Sequence, residues 1–237
     1  MADLIEKLRA NLQRVRQRIE ASARSSGRNP GQIALLAITK YVDAATAGAL
    51  ADLGCLRLGE SRPQELWAKA EAMQDRPIEW HLVGHLQRNK VRRTLPLVAL
   101  IHSVDSLRLL DAIDAAAAEQ SRVTNALLEV NISGEAAKHG FAPDELPLAV
   151  EHAQRVKHVH VRGLMGMASL GGDRDVARAQ FARLRELRDE LRTHCSGEVE
   201  LDELSIGMSH DFEMAIEEGA TIVRVGTALF EGIEGIS

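Results

Sequence analysis

The sequence predicts an α/β protein built as a closed (β/α)8 TIM barrel, and three observations carry that expectation. Eight short strand-like segments recur along the chain, alternating with stretches of helical spacing. The connections between them are of ordinary length. After the first run, Lys40-Tyr41-Val42-Asp43 stands where a doubly wound open sheet would carry a glycine-rich phosphate turn. No linker, low-complexity tract or composition shift divides residues 1–237, so one domain is expected.

Before any strand, Asp3 is placed to cap an extra N-terminal helix whose Leu4, Leu8, Leu12, Val15 and Ile19 form one stripe; Gly27 and Pro30 end it. Ala34 to Thr39 is then an unbroken apolar run, the pattern of a strand buried on both faces, and it stops on Lys40. Asp43 opens an alanine-rich helix that closes at Gly54, and Leu56 to Glu60 follows as a second strand. Ser61 is expected to cap the next helix, with Pro63 in its first turn, Trp67 on its apolar side and Pro77 as its stop. Ile78 to Val83 is the third strand, His85 to Leu95 a basic helix, and Leu100 to Val104 the fourth strand.

Ser106 to Gln120 reads as a helix, and Ala126 to Val130 as the fifth strand, before a polar loop from Asn131 to Gly140. Helices over Pro143 to Val156, Asp173 to His194 and Asp211 to Glu218 alternate with strands over Val159 to Met165, Leu201 to Ile206 and Thr221 to Val225.

The composition excludes several function classes. With 45% hydrophobic and 27% charged residues and a net charge of -5, the chain has neither a disordered composition nor a general nucleic-acid affinity. Cys55 and Cys195 have no CxxC spacing, which predicts neither a zinc site nor a disulfide framework and suits a reducing cytoplasm. No apolar run reaches membrane-spanning length and no secretory signal opens the chain, so a cytoplasmic protein, taken as a monomer, is expected.

Parallel sheets meet their ligands at the carboxyl ends of the strands, which places Lys40 at that edge. An amine at the mouth of an apolar core is expected to be partly desolvated, and so to be a Schiff-base nucleophile; a lysine snorkelling to solvent is the plainer alternative. After the seventh strand comes Gly207-Met208-Ser209, and after the eighth Gly226-Thr227. Each offers a glycine and a hydroxyl residue at a helix start, and together they make an anion cradle at the two loops where barrels hold phosphate. Singly, each is an ordinary N-cap with a tight turn. Arg224 lies inside the eighth strand, facing either the barrel mouth or an acidic partner, Glu60 or Glu129. Against a pyridine nitrogen its guanidinium would be a permanent donor.

An amine for an aldehyde, a cradle for a phosphate and a donor for a ring nitrogen match the three ends of pyridoxal 5'-phosphate. Ala37-Ile38-Thr39-Lys40, Gly59-Glu60, the segment from Ile78 through Trp80 to Lys90, Gly163 to Met167, Leu204 to Ser209 with Asp211, and Val223 to Thr227 resemble the pyridoxal phosphate homeostasis protein family from the first helix to Phe230. The resemblance implies an alanine-racemase-like barrel with the cofactor attached to Lys40 as an internal aldimine. It also implies that Arg224 faces the pyridine nitrogen and that Ser209, Gly226 and Thr227 hold the phosphate. Ser61-Arg62-Pro63 departs from the family's asparagine, aromatic and aliphatic pattern after Gly59-Glu60.

The expected role is to store, buffer or deliver the cofactor to apo-enzymes, with no dedicated catalytic residue and no metal. Tyr41, the one tyrosine, neighbours Lys40, and strand alternation would send it to the other side. The alternative is an aldolase-like Schiff-base enzyme, or a racemase or transaminase, with Glu60, His81 or His85 as acid or base. Lys138, in the loop after strand five, reads as part of a plain surface loop, with transient capture of the cofactor on the rim as the alternative. The basic cluster of His85, Arg88, Lys90, Arg92 and Arg93 reads as a solvated helix face.

Overall fold

Eight parallel strands, each hydrogen-bonded to the next and the last to the first, close the sheet in the computed structural model of the chain. The structure describes residues 2–135, 138–169, 173–195 and 199–233. The strands are β1 (Ala34–Ile38), β2 (Arg57–Glu60), β3 (Glu79–Leu82), β4 (Leu100–Val104), β5 (Thr124–Val130), β6 (Val159–Gly166), β7 (Val199–Ser205) and β8 (Ile222–Val225). Between β1 and β8 the closure pairs Leu36 with Arg224 and Ala37 with Val225.

Two apolar compartments follow from strand alternation. Leu36, Leu100, Leu127, Met165 and Ile222 meet in a small cluster inside the barrel. Residues such as Leu58, Leu82, Ile101, Leu128, Leu164, Leu204 and Val223 face outward and form the large cluster under the helices. Those helices include α1 (Ala2–Ser25), α2 (Ala44–Asp52), α3 (Pro63–Ala72), α5 (Leu107–Glu119), α6 (Leu146–Ala153), α7 (Arg174–Arg192) and α8 (Phe212–Glu217), with a single α-turn, α4 (Val91–Thr94), after β3.

The N-terminal helix is a flank. Its Leu8, Leu12, Val15 and Ile19 are buried as the stripe predicts. Asn11 Nδ2 donates to Leu229 O (3.1 Å) and Glu231 O (3.0 Å), and Ser22 Oγ donates to Glu213 O (2.9 Å), which clamp α1 to the segment after β8 and to α8. Asp3 lies in the first turn, where it pairs with Lys7, and is not the cap.

Two other local expectations fail for identifiable reasons. Arg62, not Ser61, precedes α3, because Pro63 takes the first helical position and demands an extended residue before it. Ser61 instead presents its carbonyl to Gly84, where a Cβ would lie 2.1 Å from the Ser61 oxygen. The stretch 85–95 is not one helix. It runs irregularly to Gln87, then through a 3-10 turn (Arg88–Lys90), α4 and a second 3-10 turn (Leu95–Leu97) opened by Pro96, which cannot continue an α-helix. Part of its charge is met by the chain itself: Arg92 pairs with Glu119, and the Arg93 guanidinium stacks 4.2 Å from the Trp67 ring centre.

Candidate cofactor site

The loops after β7 and β8 are joined through a single hydroxyl. Ser209 Oγ accepts from Gly226 N (3.1 Å) and from Ala228 N (3.4 Å). Gly207 makes this approach possible: at φ +87 it turns the chain in the left-handed region, and a Cβ there would lie 2.5 Å from Ala215 Cβ. Asp211 fixes the same loop by accepting from Met208 N at 2.5 Å. Thr227 is exposed and opens the 3-10 turn Thr227–Leu229. Two backbone N–H groups aimed at one oxygen, with the Thr227 hydroxyl on the residue between them, are a donor set suited to a phosphate oxygen.

Lys40 stands two residues beyond β1, in a turn and exposed. It is therefore not the partly desolvated amine the run predicts. Thr39 takes the buried position, and the chain turns immediately after it. Nor does alternation separate Lys40 from Tyr41, since both have left the strand: Lys40 Nζ lies 4.5 Å from the Tyr41 ring centre. Beneath this turn is a buried latch. Glu60 Oε1 accepts from Thr39 Oγ1 (2.6 Å) and from Lys69 Nζ (2.6 Å), while Lys69 Nζ also donates to Thr39 O (2.7 Å).

Arg224 is buried inside the barrel. Its Nη1 donates to Ser205 O (2.7 Å) and Ser205 Oγ (2.8 Å), and its Nη2 donates to Gly166 O (2.9 Å). Neither acidic partner considered from the sequence pairs with it: Glu60 is occupied by Lys69, and Glu129 acts only at longer range. Burial draws the Arg224 pKa down to about 10 against the opposing pull of Asp211 and Glu129. Burial likewise pushes the Glu129 carboxyl up to about 7, the nearby Asp105 adding to it and Arg224 opposing. The lower neighbours of Arg224 are polar too: His102 Nδ1 lies 2.9 Å from Ser205 Oγ, and His102 Nε2 lies 2.8 Å from His81 Nδ1.

The three acid-base candidates are thus dispersed: Glu60 in the Lys69 latch, His81 on His102, and His85 on the rim. There His85 Nδ1 is 2.8 Å from Asp105 Oδ2, and His139 stacks on His85. Lys138 is half-buried, with its ammonium on Glu135 Oε1 (2.7 Å) and Ala168 O (3.3 Å). Several residues here escaped the sequence reading. Ser205 and His102 carried one signal, a polar residue at an inward strand position. Lys69 and the Ala228 amide carried none, because their roles depend on which segments lie side by side.

Residues 5–233 match the family model described as the alanine racemase N-terminal domain. A pyridoxal phosphate homeostasis protein of Aquifex aeolicus is 42% identical over 92% of this chain and 95% of its own. One of Pseudomonas aeruginosa is 39% identical over 93% of each. Among solved structures, PipY of Synechococcus elongatus PCC7942 with PLP bound superposes with a TM-score of 0.83 at 33% identity, covering 94% of this chain and 99% of that one.

Proposed function

The chain belongs to the pyridoxal phosphate homeostasis proteins, built on the alanine racemase N-terminal domain, and we propose that it binds pyridoxal 5'-phosphate and stores, buffers or delivers it in the cytoplasm. The observation that carries this reading is the meeting of the two loops on Ser209. There the amides of Gly226 and Ala228 already converge on an oxygen, and Gly207 lets its loop turn tightly against Ala215 and Phe212. The residues present fit the group. Ser209, Gly226 and Thr227 hold the phosphate, Arg224 faces the ring nitrogen, and Lys40 provides the amine.

When bound, the cofactor supplies an electrophilic aldehyde. Lys40, in a turn open to solvent, is free to reach that carbon. Arg224 is a donor without an acceptor, so it keeps the group opposite it unprotonated. That favours holding the cofactor over using it as an electron sink. The dispersal of Glu60, His81 and His85, each already engaged, supports a carrier without dedicated turnover. Exposure of Lys40 suits handover to apo-enzymes, since the amine is not walled off from water.

Visible absorbance before and after borohydride reduction, with peptide mass spectrometry of wild type and Lys40→Ala, tests the proposal. A yellow protein whose reduced adduct maps to Lys40, and whose colour the variant loses, is expected. A protein that cannot be loaded with added pyridoxal 5'-phosphate overturns it.

A further inference from the structure

Behind Arg224 runs a chain of buried polar side chains that crosses the inside of the barrel from β8 to β7, β4 and β3. Ser205 on β7 and His102 on β4 belong to strands that do not pair, so their 2.9 Å contact spans the barrel interior. His102 is fully buried, and His81 nearly so. His81 reaches the amino-terminal mouth, where it lines a cavity with Ala34, Arg57, Glu79, Asn125 and Arg162.

One self-consistent order of protons runs along this chain from Arg224. Arg224 can only donate, so Ser205 Oγ accepts from it at 2.8 Å. The hydroxyl proton is then free to point at His102 Nδ1, and in this order that nitrogen accepts it. A neutral His102 carries its proton on Nε2 and donates it to His81 Nδ1 at 2.8 Å. His81 in turn carries its proton on Nε2, toward the cavity. A proton on His81 Nδ1 would set two donors face to face unless His102 changed tautomer, and Ser205 Oγ would then accept from both Arg224 and His102. Burial supports the neutral state of both rings: His81 is drawn down to about 4 and His102 well below the usual histidine range, the latter with help from His81 and Arg224.

We propose that Ser205, His102 and His81 are positioning residues for Arg224, a one-directional hydrogen-bond chain that fixes the rotation of the guanidinium and reserves its Nε–H and second Nη2–H for the cofactor ring. The proposal rests on the reading that Arg224 meets the ring nitrogen. It explains why two imidazoles occupy the interior of a barrel otherwise filled by Leu36, Leu100, Leu127 and Met165. An apolar pair would pack there without needing partners, whereas a satisfied polar chain specifies one arrangement.

Two substitutions at one position separate this role from packing. In His102→Asn the amide oxygen falls near the place of Nδ1 and still accepts from Ser205; in His102→Leu the volume is kept and the acceptor is lost. After loading with pyridoxal 5'-phosphate, His102→Leu is expected to shift the visible band and release the cofactor about tenfold faster, the equivalent of one hydrogen bond to a charged group. His102→Asn is expected to keep the wild-type band and release rate. Equal behaviour of the two, or a worse His102→Asn, would overturn the proposal, because packing alone favours leucine. Should the leucine variant fail to fold, nitrogen-15 spectra of the wild-type imidazoles decide: both rings protonated on Nε2 support the chain, and Nδ1 protonation of either refutes it. A wild type that takes up no cofactor, yet shows both rings in the Nε2 form, refutes the functional reading and with it the role toward the ring, while leaving the hydrogen-bond order standing.

Discussion

Replacing Lys69 by methionine measures how firmly the Lys40 turn is held. Lys69 and Glu60 have side chains only 7% and 0% exposed and meet at 2.6 Å, and the same ammonium donates to Thr39 O, the residue before Lys40. Methionine keeps the apolar stem and removes the charge. Glu60 is then left with Thr39 Oγ1 as its hydrogen-bond partner, its Oε2 having none in the intact protein. Stranding one member of a buried ion pair costs about 3–5 kcal/mol, much of it the desolvation of the remaining ion. The net value of the lost bond to Thr39 O is about 1 kcal/mol. Lys69→Met is therefore expected to remove roughly 4 kcal/mol, a large share of a typical folding free energy.

Neutralising the survivor should reverse most of that loss. Glu60→Gln still accepts from Thr39, so the double variant Lys69→Met/Glu60→Gln is expected to regain about 2 kcal/mol or more over Lys69→Met. Urea unfolding of wild type, both singles and the double, compared at unchanged m-value, gives the cycle. A Lys69→Met loss below about 1 kcal/mol, or a double variant no more stable than that single, would refute the buried-charge argument.

Three further outcomes are expected. Gly207→Ala combines left-handed strain with a 2.5 Å approach to Ala215 Cβ, so it should cost about 3 kcal/mol by calorimetry and weaken cofactor retention; a neutral substitution would show that the loop relaxes freely. Asn11→Ala removes both donors that hold Leu229 O and Glu231 O, at a cost of about 1–3 kcal/mol, with faster hydrogen exchange concentrated in residues 227–231. The pH dependence has two opposing parts. His81, lowered from 6.5 to about 4, binds fewer protons folded than unfolded, so its contribution is full above 6.5 and lost as pH falls toward 4. Glu129, raised from 4.5 to about 7, binds more protons folded, so its contribution is present below 4.5 and lost as pH rises to 7. Glu129→Gln should therefore steepen the loss of stability on acidification, and His81→Gln should flatten it, each by up to about 1.4 kcal/mol per pH unit in urea titrations between about pH 5 and 6.5. Unchanged slopes would contradict the buried states assigned to both groups.

The strand order and its closure were legible because strand-like segments alternate with helical ones between turn residues, and eight alternations leave few topologies other than a barrel. The helix ends were legible where a cap acts locally, as when Asp43 accepts from Thr46 N at 2.8 Å, and illegible where proline geometry overrode the cap, as at Ser61 and Pro63. Lys40, Ser209, Arg224, Gly226 and Thr227 could be nominated from position alone, since strand ends and the last two loops are where a barrel meets its ligand. Their partners could not.

What the sequence determined by itself was periodicity: which residues face the helices, which face the inside, and which loops carry glycine beside a hydroxyl. Those are properties of neighbours along the chain. What only the tertiary structure decided was company across it. It gave Glu60 to Lys69 instead of Arg224, put Lys40 in solvent over Tyr41, and drew His81, His102, Ser205 and Arg224 from four strands into one buried line. A closed barrel brings non-adjacent strands within hydrogen-bond reach through its interior, and no spacing along the sequence encodes that distance.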